Sequence, residues 1–285
     1  MKSSLITLIS ILLIISLISI IIINQIILTQ IKIEEKPLTK FIFGSVSRVE
    51  LTVVVDNYPG NKNLMTAWGI SIYIKTNNVN ILFDTGPSPG ILKHNLEALN
   101  IDASKLNYIV LSHEHGDHIG GLPYLNEISP NAKVIIPKHM SQSAKNWISN
   151  FNFNIIEAEE PIKIMDGIAV TGELYGPPYE QALIINVTNK GLILIVGCAH
   201  PKIEKIIEYV YNLTGTKIYL IIGGFHLMGA SIDRLNKIVN VIRKYNVNYV
   251  YPIHCTGDEA RKIFNEKLGS KYCDGHIGIK IIVEG

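Results

Sequence analysis

The densest chemistry in the chain lies in His113-Glu114-His115-Gly116-Asp117-His118, where three imidazoles and the carboxylate of Asp117 fall within six residues. The chain carries nine histidines among 285 residues, so this concentration points to a shared task rather than to surface composition. Neutral imidazole and carboxylate are the ligands that a borderline cation such as Zn²⁺ prefers. His113 and His115 are two apart, so in extended or turning backbone their rings reach the same side. Gly116 then lets the chain bend and aim Asp117 and His118 at a second place. The string reads as a metal-binding loop.

Such a loop needs rigid ends. Tyr108-Ile109-Val110-Leu111 ahead of it reads as a short buried strand, and Gly120-Gly121 behind it leads into a helix over Leu122–Ile128. Upstream, Arg48–Asp56 is a strand, Ile70–Lys75 and Val79–Phe83 pair as a hairpin across Thr76-Asn77-Asn78, and Ile91–Leu99 is a helix. Lys133–Ile136 is again a strand. The second half repeats the grammar. Gln181–Val187 and Gly191–Val196 form a hairpin, and Lys202–Tyr211 is a helix with Ile203, Ile206, Ile207 and Val210 on one face. A strand over Lys217–Ile222, a helix over Ile232–Tyr245 and a strand over Val247–Pro252 follow. A helix over Gly257–Lys267 and a strand over Ile279–Val283 close the chain. This alternation by itself specifies mixed α/β.

The His-x-His-x-Asp-His string between a buried strand and Gly-Gly-Leu resembles the metallo-β-lactamase superfamily. Ile81-Leu82-Phe83-Asp84-Thr85-Gly86 resembles the strand-end motif that precedes it there. Gly197-Cys198-Ala199-His200 and Pro252-Ile253-His254-Cys255 resemble the later ligand strands. The resemblance spans Val49 to Glu284 and implies a four-layer αβ/βα sandwich. It implies that His113, His115 and His200 hold one metal ion, and Asp117, His118 and His254 a second. Two Zn²⁺ per chain are expected, with iron or manganese also compatible. Asp84 resembles the carboxylate that orients a ligand imidazole; the plainer alternative is a turn residue before Thr85-Gly86. Glu114 occupies a position that varies in the family and points away. His94, His139 and His276 lack ligand-like neighbours and read as surface residues.

One departure stands out. Many superfamily members place a bridging aspartate between the third and last histidines, and here His226 of Gly223-Gly224-Phe225-His226-Leu227 takes that place. A neutral imidazole has one free lone pair and does not bridge two cations. The second site is therefore expected to bind less tightly, with His226 a terminal ligand, a donor to a substrate oxyanion or a structural residue. Metals held this way make hydroxide available at neutral pH, so the implied reaction is hydrolysis of an ester, amide or phosphoester bond, with Asp117 orienting the water and His226 assisting. No P-loop or dinucleotide fingerprint occurs, so no organic cofactor is implied.

Within the superfamily, Thr66-Ala67-Trp68-Gly69-Ile70-Ser71, Gly197-Cys198-Ala199-His200, Gly223-Gly224-Phe225-His226-Leu227 and His254-Cys255-Thr256-Gly257 resemble the branch of the archaeal dihydropterin–ribofuranosylaminobenzene-phosphate synthase. That enzyme is a transferase that condenses a pterin diphosphate with an arylamine. Where this branch often has a histidine before the matched Gly69, this chain has Trp68. The shared motifs are mostly close to the metals, so a hydrolase of a small molecule is the first reading and the transferase the second. A non-enzymatic membrane-tethered metal-binding domain is the third.

The remaining composition frames these readings. A net charge of +2 gives no pointer to nucleic acid, and 47% hydrophobic residues suffice for a sizeable core. Part of that apolar content is not core. Leu5–Leu28 is nearly all Ile, Leu, Ser and Thr, and its 24 residues would span about 36 Å as a helix against a hydrocarbon core of about 30 Å. The sequence thus predicts an N-terminal transmembrane anchor at 1–31, a linker at 32–48 and the catalytic domain at 49–285. Lysines and Arg48 after the span favour a cytoplasmic domain. A short N-tail and the sequons Asn186-Val187-Thr188 and Asn212-Leu213-Thr214 favour the outside, the side chosen here. Three cysteines make no disulfide framework. Cys198 and Cys255 read as buried free thiols near one another, a pair being the alternative.

Overall fold

The computed structural model describes residues 12–25 and 40–285. Residues 12–25 form a helix (α1) whose Leu and Ile side chains are exposed, Leu13 to 66% and Ile23 to 55%. The expected transmembrane span over Leu5–Leu28 runs beyond the described residues at both ends. Among the described residues, no helix is long and apolar enough to cross a membrane. Phe41–Gly285 forms a separate compact unit, and the following concerns that unit.

Its strands are β1 (Arg48–Val55), β2 (Ser71–Lys75), β3 (Asn80–Phe83), β4 (Tyr108–Val110), β5 (Lys133–Pro137), β6 (Asn154–Ala158), β7 (Ile162–Met165), β8 (Ile168–Tyr175), β9 (Tyr179–Val187), β10 (Gly191–Val196), β11 (Ile218–Gly224), β12 (Tyr249–Ile253) and β13 (Lys280–Glu284). They build two mixed sheets, ordered β13-β1-β2-β3-β4-β5-β6 and β12-β11-β10-β9-β8-β7. The helices are α2 (Pro89–Ala98), α3 (Gly116–Ile119), α4 (Leu122–Ile128), α5 (Gln142–Ile148), α6 (Ile203–Thr214), α7 (Ile232–Lys244) and α8 (Asp258–Leu268).

Side-chain alternation explains the layering. On β10, Ile193 and Ile195 join Leu51, Val53 and Phe83 in a core between the sheets. Leu192, Leu194 and Val196 on the opposite face pack under α6, α7 and α8 through Ile207, Ile238 and Phe264. On the first sheet, Leu82, Ile109 and Val134 face α2 and α4 through Leu92, Leu96 and Leu125. Successive strand residues point to opposite faces, so a strand covered on both faces reads as an unbroken apolar run. Helix, sheet, sheet, helix is the four-layer order that the resemblance implied.

Local signals set the helix ends. Ser88 and Ser231 accept hydrogen bonds from the N–H groups of Ile91 and Arg234 at the starts of α2 and α7, and Pro89 follows at the first helical position. Gly215, at φ +68, ends α6 in the left-handed conformation. Strands β6 to β8 and helix α5, none of them expected from the sequence, fill 142–175.

Candidate metal centre

The motif loop leaves β4 beside the end of β3, and Asp84 joins the two. Its Oδ1 accepts the Ser112 N–H at 2.7 Å, while Oδ2 accepts the Ser112 hydroxyl at 2.7 Å and faces His118 Nδ1 at 2.7 Å. An imidazole nitrogen facing a carboxylate carries the proton, so His118 Nε2 keeps a free lone pair. Ser112 spends its hydroxyl proton on Asp84, so at 2.9 Å it accepts from His113 Nδ1 and leaves His113 Nε2 free. Asn57 Oδ1, 3.2 Å from His254 Nδ1, orients the last histidine in the same way.

The expected residues gather at the strand ends of both sheets. Ring centroids are 4.6 Å apart for His113–His115, 4.7 Å for His113–His200 and 4.9 Å for His115–His200. His118 lies 5.2 Å from His254, and Asp117 Oδ2 is 3.3 Å from His254 Nε2 and 3.6 Å from His118 Nε2. His113 Nε2 and His115 Nδ1 are 3.0 Å apart. Nitrogens at about 2.1 Å from one tetrahedral ion sit roughly 3.4 Å from each other, within a few tenths of an ångström of the 3.0 Å between these two. His200 Nε2 and His254 Nε2 are buried without a hydrogen-bond partner, although Asp117 stands close to the latter. Buried nitrogens left unpaired normally carry a penalty. A divalent ion removes it, and these side chains fit one.

Electrostatics keeps these side chains ready for a cation. Burial, reinforced by neighbouring imidazoles, holds His113 well below the usual histidine range and His200 at about 4, so both are neutral near pH 7. Burial would raise the Asp117 carboxyl, but the imidazoles of His254 and His118 bring it down to about 2. Burial would likewise lower His118, and Asp84 raises it instead. Asp84, Ala199, His226 and His254 all adopt positive φ of 51–56°. Non-glycine residues in this region are strained, and such strain collects where side chains must be aimed.

Several supporting residues were not singled out by the sequence. Glu180 at the start of β9 is fully buried, and its Oε1 accepts the N–H groups of Gly197, Cys198 and Ala199 at 3.1, 3.0 and 2.9 Å. Its Oε2 accepts that of His200 at 2.7 Å. Burial pushes this carboxyl up against the opposing pull of the N–H donors, to about 7. Next to it, Gln181 Nε2 donates to Leu111 O at 2.9 Å and Ile135 O at 3.2 Å, while its backbone N–H donates to Ser112 O at 2.9 Å. Asp56 Oδ1 accepts the His254 N–H at 2.8 Å. The only sequence signal for Glu180 was a charge at the edge of a buried apolar strand.

The other candidates fall as follows. His226 is exposed, its ring 4.7 Å from that of His200 and a ring nitrogen within 4.8 Å of the sulfurs of Cys198 and Cys255. Glu114 turns away and accepts the Ser141 N–H. His94 and His139 are exposed and engage Asn63 O and Glu173; His276 is half-buried against Ile277 O. The sulfurs of Cys198 and Cys255 are 3.3 Å apart, both thiols free. Asn57, Tyr58, Trp68, Met228 and His254 line a cleft of about 350 Å³, and the Trp68 ring lies 4.7 Å from that of His254.

A family model for the metallo-β-lactamase superfamily matches residues 69–210. The chain is 28% identical over 288 residues to the 7,8-dihydropterin-6-methyl-4-(β-D-ribofuranosyl)-aminobenzene-5'-phosphate synthase of Methanocaldococcus jannaschii, covering 84% of this chain and 98% of that protein. It is 34% identical over 262 residues to an uncharacterised protein of the same organism, covering 81% of this chain and 99% of the other. A crystal structure described as Tm1679, a metal-dependent hydrolase of the β-lactamase superfamily, superposes with a TM-score of 0.72 at 25% identity, covering 83% of this chain and 100% of that one.

Proposed function

Since the chain belongs to the metallo-β-lactamase superfamily and is an enzyme of that fold, we propose that it is a dinuclear metal-dependent hydrolase of a small-molecule ester or phosphoester. His113, His115 and His200 would hold one ion and Asp117, His118 and His254 the other. The observation that carries this reading is the gathering of buried ring nitrogens from distant strands beside the motif loop, His200 with His113 and His254 with His118, with His200 Nε2 left without a hydrogen-bond partner. When bound, ions of the zinc type supply hydroxide at neutral pH and a Lewis acid for the bond attacked.

The chain's own groups do the rest. Asp117 stays ionised and orients the attacking water as a hydrogen-bond acceptor. Asp84 and Ser112 fix the tautomers of His118 and His113, and Asn57 that of His254. His226, exposed beside His200, donates to charge developing on the substrate. Trp68 and Tyr58 offer aromatic surface to whatever enters the cleft.

The test joins elemental analysis of the zinc-loaded protein to a screen of phosphoesters, esters and lactones. Two equivalents with cleavage of one such class is expected. Similarity to the M. jannaschii synthase favours a second reading, transfer of a pterin to an arylamine. Diphosphate release from a dihydropterin diphosphate that depends on an arylamine phosphate would select it over hydrolysis.

The run Leu5–Leu28 fits a tether for this enzyme, supported by its apolar length and by the exposed Leu and Ile side chains of α1. Recovery of the full chain entirely in the soluble fraction after lysis would refute that role.

A further inference from the structure

Resting on the dinuclear reading above, we propose that Cys198 is the ligand shared by the two ions, its thiolate bridging them. Cys198 lies where the two sets of ligands meet. Its sulfur is within 4.8 Å of ligand nitrogens of His113 and His200, and within the same distance of His118 and His254. The approach to His118 Nε2 is 3.2 Å. Two ligand atoms on one ion, at about 2.1 Å for nitrogen and 2.3 Å for sulfur, sit that close together.

A buried thiol with a purely packing role is surrounded by hydrocarbon. This one, 4% exposed, is ringed by imidazole nitrogens, one of which, His200 Nε2, has no hydrogen-bond partner. Chemistry separates sulfur from the other candidate for the centre. A neutral imidazole such as His226 has one lone pair to give, while a thiolate has several and can serve two cations at once. One sulfur at about 2.3 Å from each ion holds them no more than about 4.6 Å apart, which accommodates the roughly 3.5–4 Å of two-metal sites.

The surroundings hold the sulfur in place. The Cys198 N–H is bonded to Glu180, and Ala199 takes the left-handed conformation at φ 54°. Cys255 Sγ is 3.3 Å away and accepts the His226 N–H at 3.3 Å. A Cβ at Gly224 would come within 2.7 Å of Cys255 Sγ, so glycine is what lets this second sulfur approach. In the loaded centre Cys255 keeps its proton and donates it to the bridging sulfur. Binding itself breaks the Cys198 S–H bond, forms two sulfur–metal bonds and releases the proton to solvent. No oxidant is involved.

The test is cobalt substitution of the full chain, read by absorption and elemental analysis. Wild type should bind two equivalents and show a sulfur-to-cobalt charge-transfer band in the near ultraviolet. Cys198→Ser should lose the band and fall to about one equivalent, Cys255→Ser should keep both, and Cys198→Asp should recover the second equivalent without the band. Thiol titration of the wild type gives a readout free of any folding defect in the variants: among three cysteines, loading should protect Cys198. Two bound cobalt ions without a sulfur band, or a band that survives in Cys198→Ser, overturns the bridge while leaving the dinuclear reading intact. Failure of the wild type to bind cobalt or zinc overturns both.

Discussion

Replacing Glu180 by glutamine tests the support beneath His200. The carboxylate presents two oxygens to the N–H groups of Gly197, Cys198, Ala199 and His200 at 2.7–3.1 Å. Glutamine keeps one oxygen and turns an NH₂ toward the remaining donors. In the gentler orientation the amide oxygen keeps the three donors of Gly197, Cys198 and Ala199, and only the His200 N–H is left facing another donor. One buried donor without a partner costs about 1–3 kcal/mol. Removing a buried charge works the other way. The carboxyl is raised from 4.5 to about 7, so burial outweighs the donors, and above pH 7 the saving is comparable with the cost of the orphaned donor. At or below pH 4.5, where the folded carboxyl is already protonated, the saving vanishes and the orphaned donor decides the sign, so the unfolding comparison is made there. For a domain of this size about 1–3 kcal/mol lowers Tm by roughly 2–12 °C. Loss of a support behind a ligand also weakens metal binding by about 10–100-fold, and the loss should fall on the ion held by His200. Thermal unfolding by circular dichroism and zinc titration against a chelator read the two effects, with Glu157→Gln on the surface as a control within about 0.5 kcal/mol of wild type. If Glu180→Gln matches wild type in both, the N–H clamp has no energetic role.

Three further outcomes are expected. Asp84→Asn leaves one oxygen for the Ser112 N–H, the Ser112 hydroxyl and His118 Nδ1, so the second ion should bind about 10–100-fold more weakly in a zinc titration. For pH, His200 titrates at about 4 when folded and at its ordinary value of 6.5 when unfolded, so between these values only the unfolded chain takes the proton. Stability of the metal-free protein should therefore drop as pH falls from 6.5 towards 4. Glu180 and Asp56, both raised to about 7 by burial, work in the opposite direction. The comparison is thus wild type against His200→Asn, and urea midpoints that fall equally in both would refute the assignment. Trp68→Ala should raise KM several-fold with unchanged metal content, because the indole lines the cleft beside His254 and is not itself among the expected ligands; an effect on kcat alone would place it elsewhere.

Legibility followed how local the physical cause was. Strand β10 and helix α6 could be read because burial on two faces leaves Leu192-Ile193-Leu194-Ile195-Val196 unbroken, and one buried face leaves Ile203, Ile206, Ile207 and Val210 at helical spacing. Strands β6 and β7 are at or near sheet ends, with only Ala158 among their residues fully buried, so neither alternation nor an apolar run marks them. Helix α5 buries Ile148 alone. The histidines declared themselves by type. Their partners did not: Asn57 and Ser112 are ordinary polar residues whose task depends on a ring brought to them by a distant strand.

Glu180 and Gln181 show the limit most clearly. Neighbours on a strand point to opposite faces, and this pair uses both. Glu180 gathers the N–H groups of the loop that carries His200, in the second sheet's half of the molecule. Gln181 donates to Leu111 O and Ile135 O in the first sheet, and its N–H holds Ser112 O at the root of the motif loop. One short segment of β9 therefore ties together the two loops that carry the candidate ligands His113 and His200, some ninety residues apart. Its partners are backbone groups, which every residue possesses, so no pattern of side chains announces them. The geometry of a dinuclear centre depends on the relative placement of these loops to within about 0.5 Å. The backbone clamp sets that placement, and the sulfur of Cys198 lies within 4.8 Å of ring nitrogens of His113, His118, His200 and His254, at the point where the loops converge.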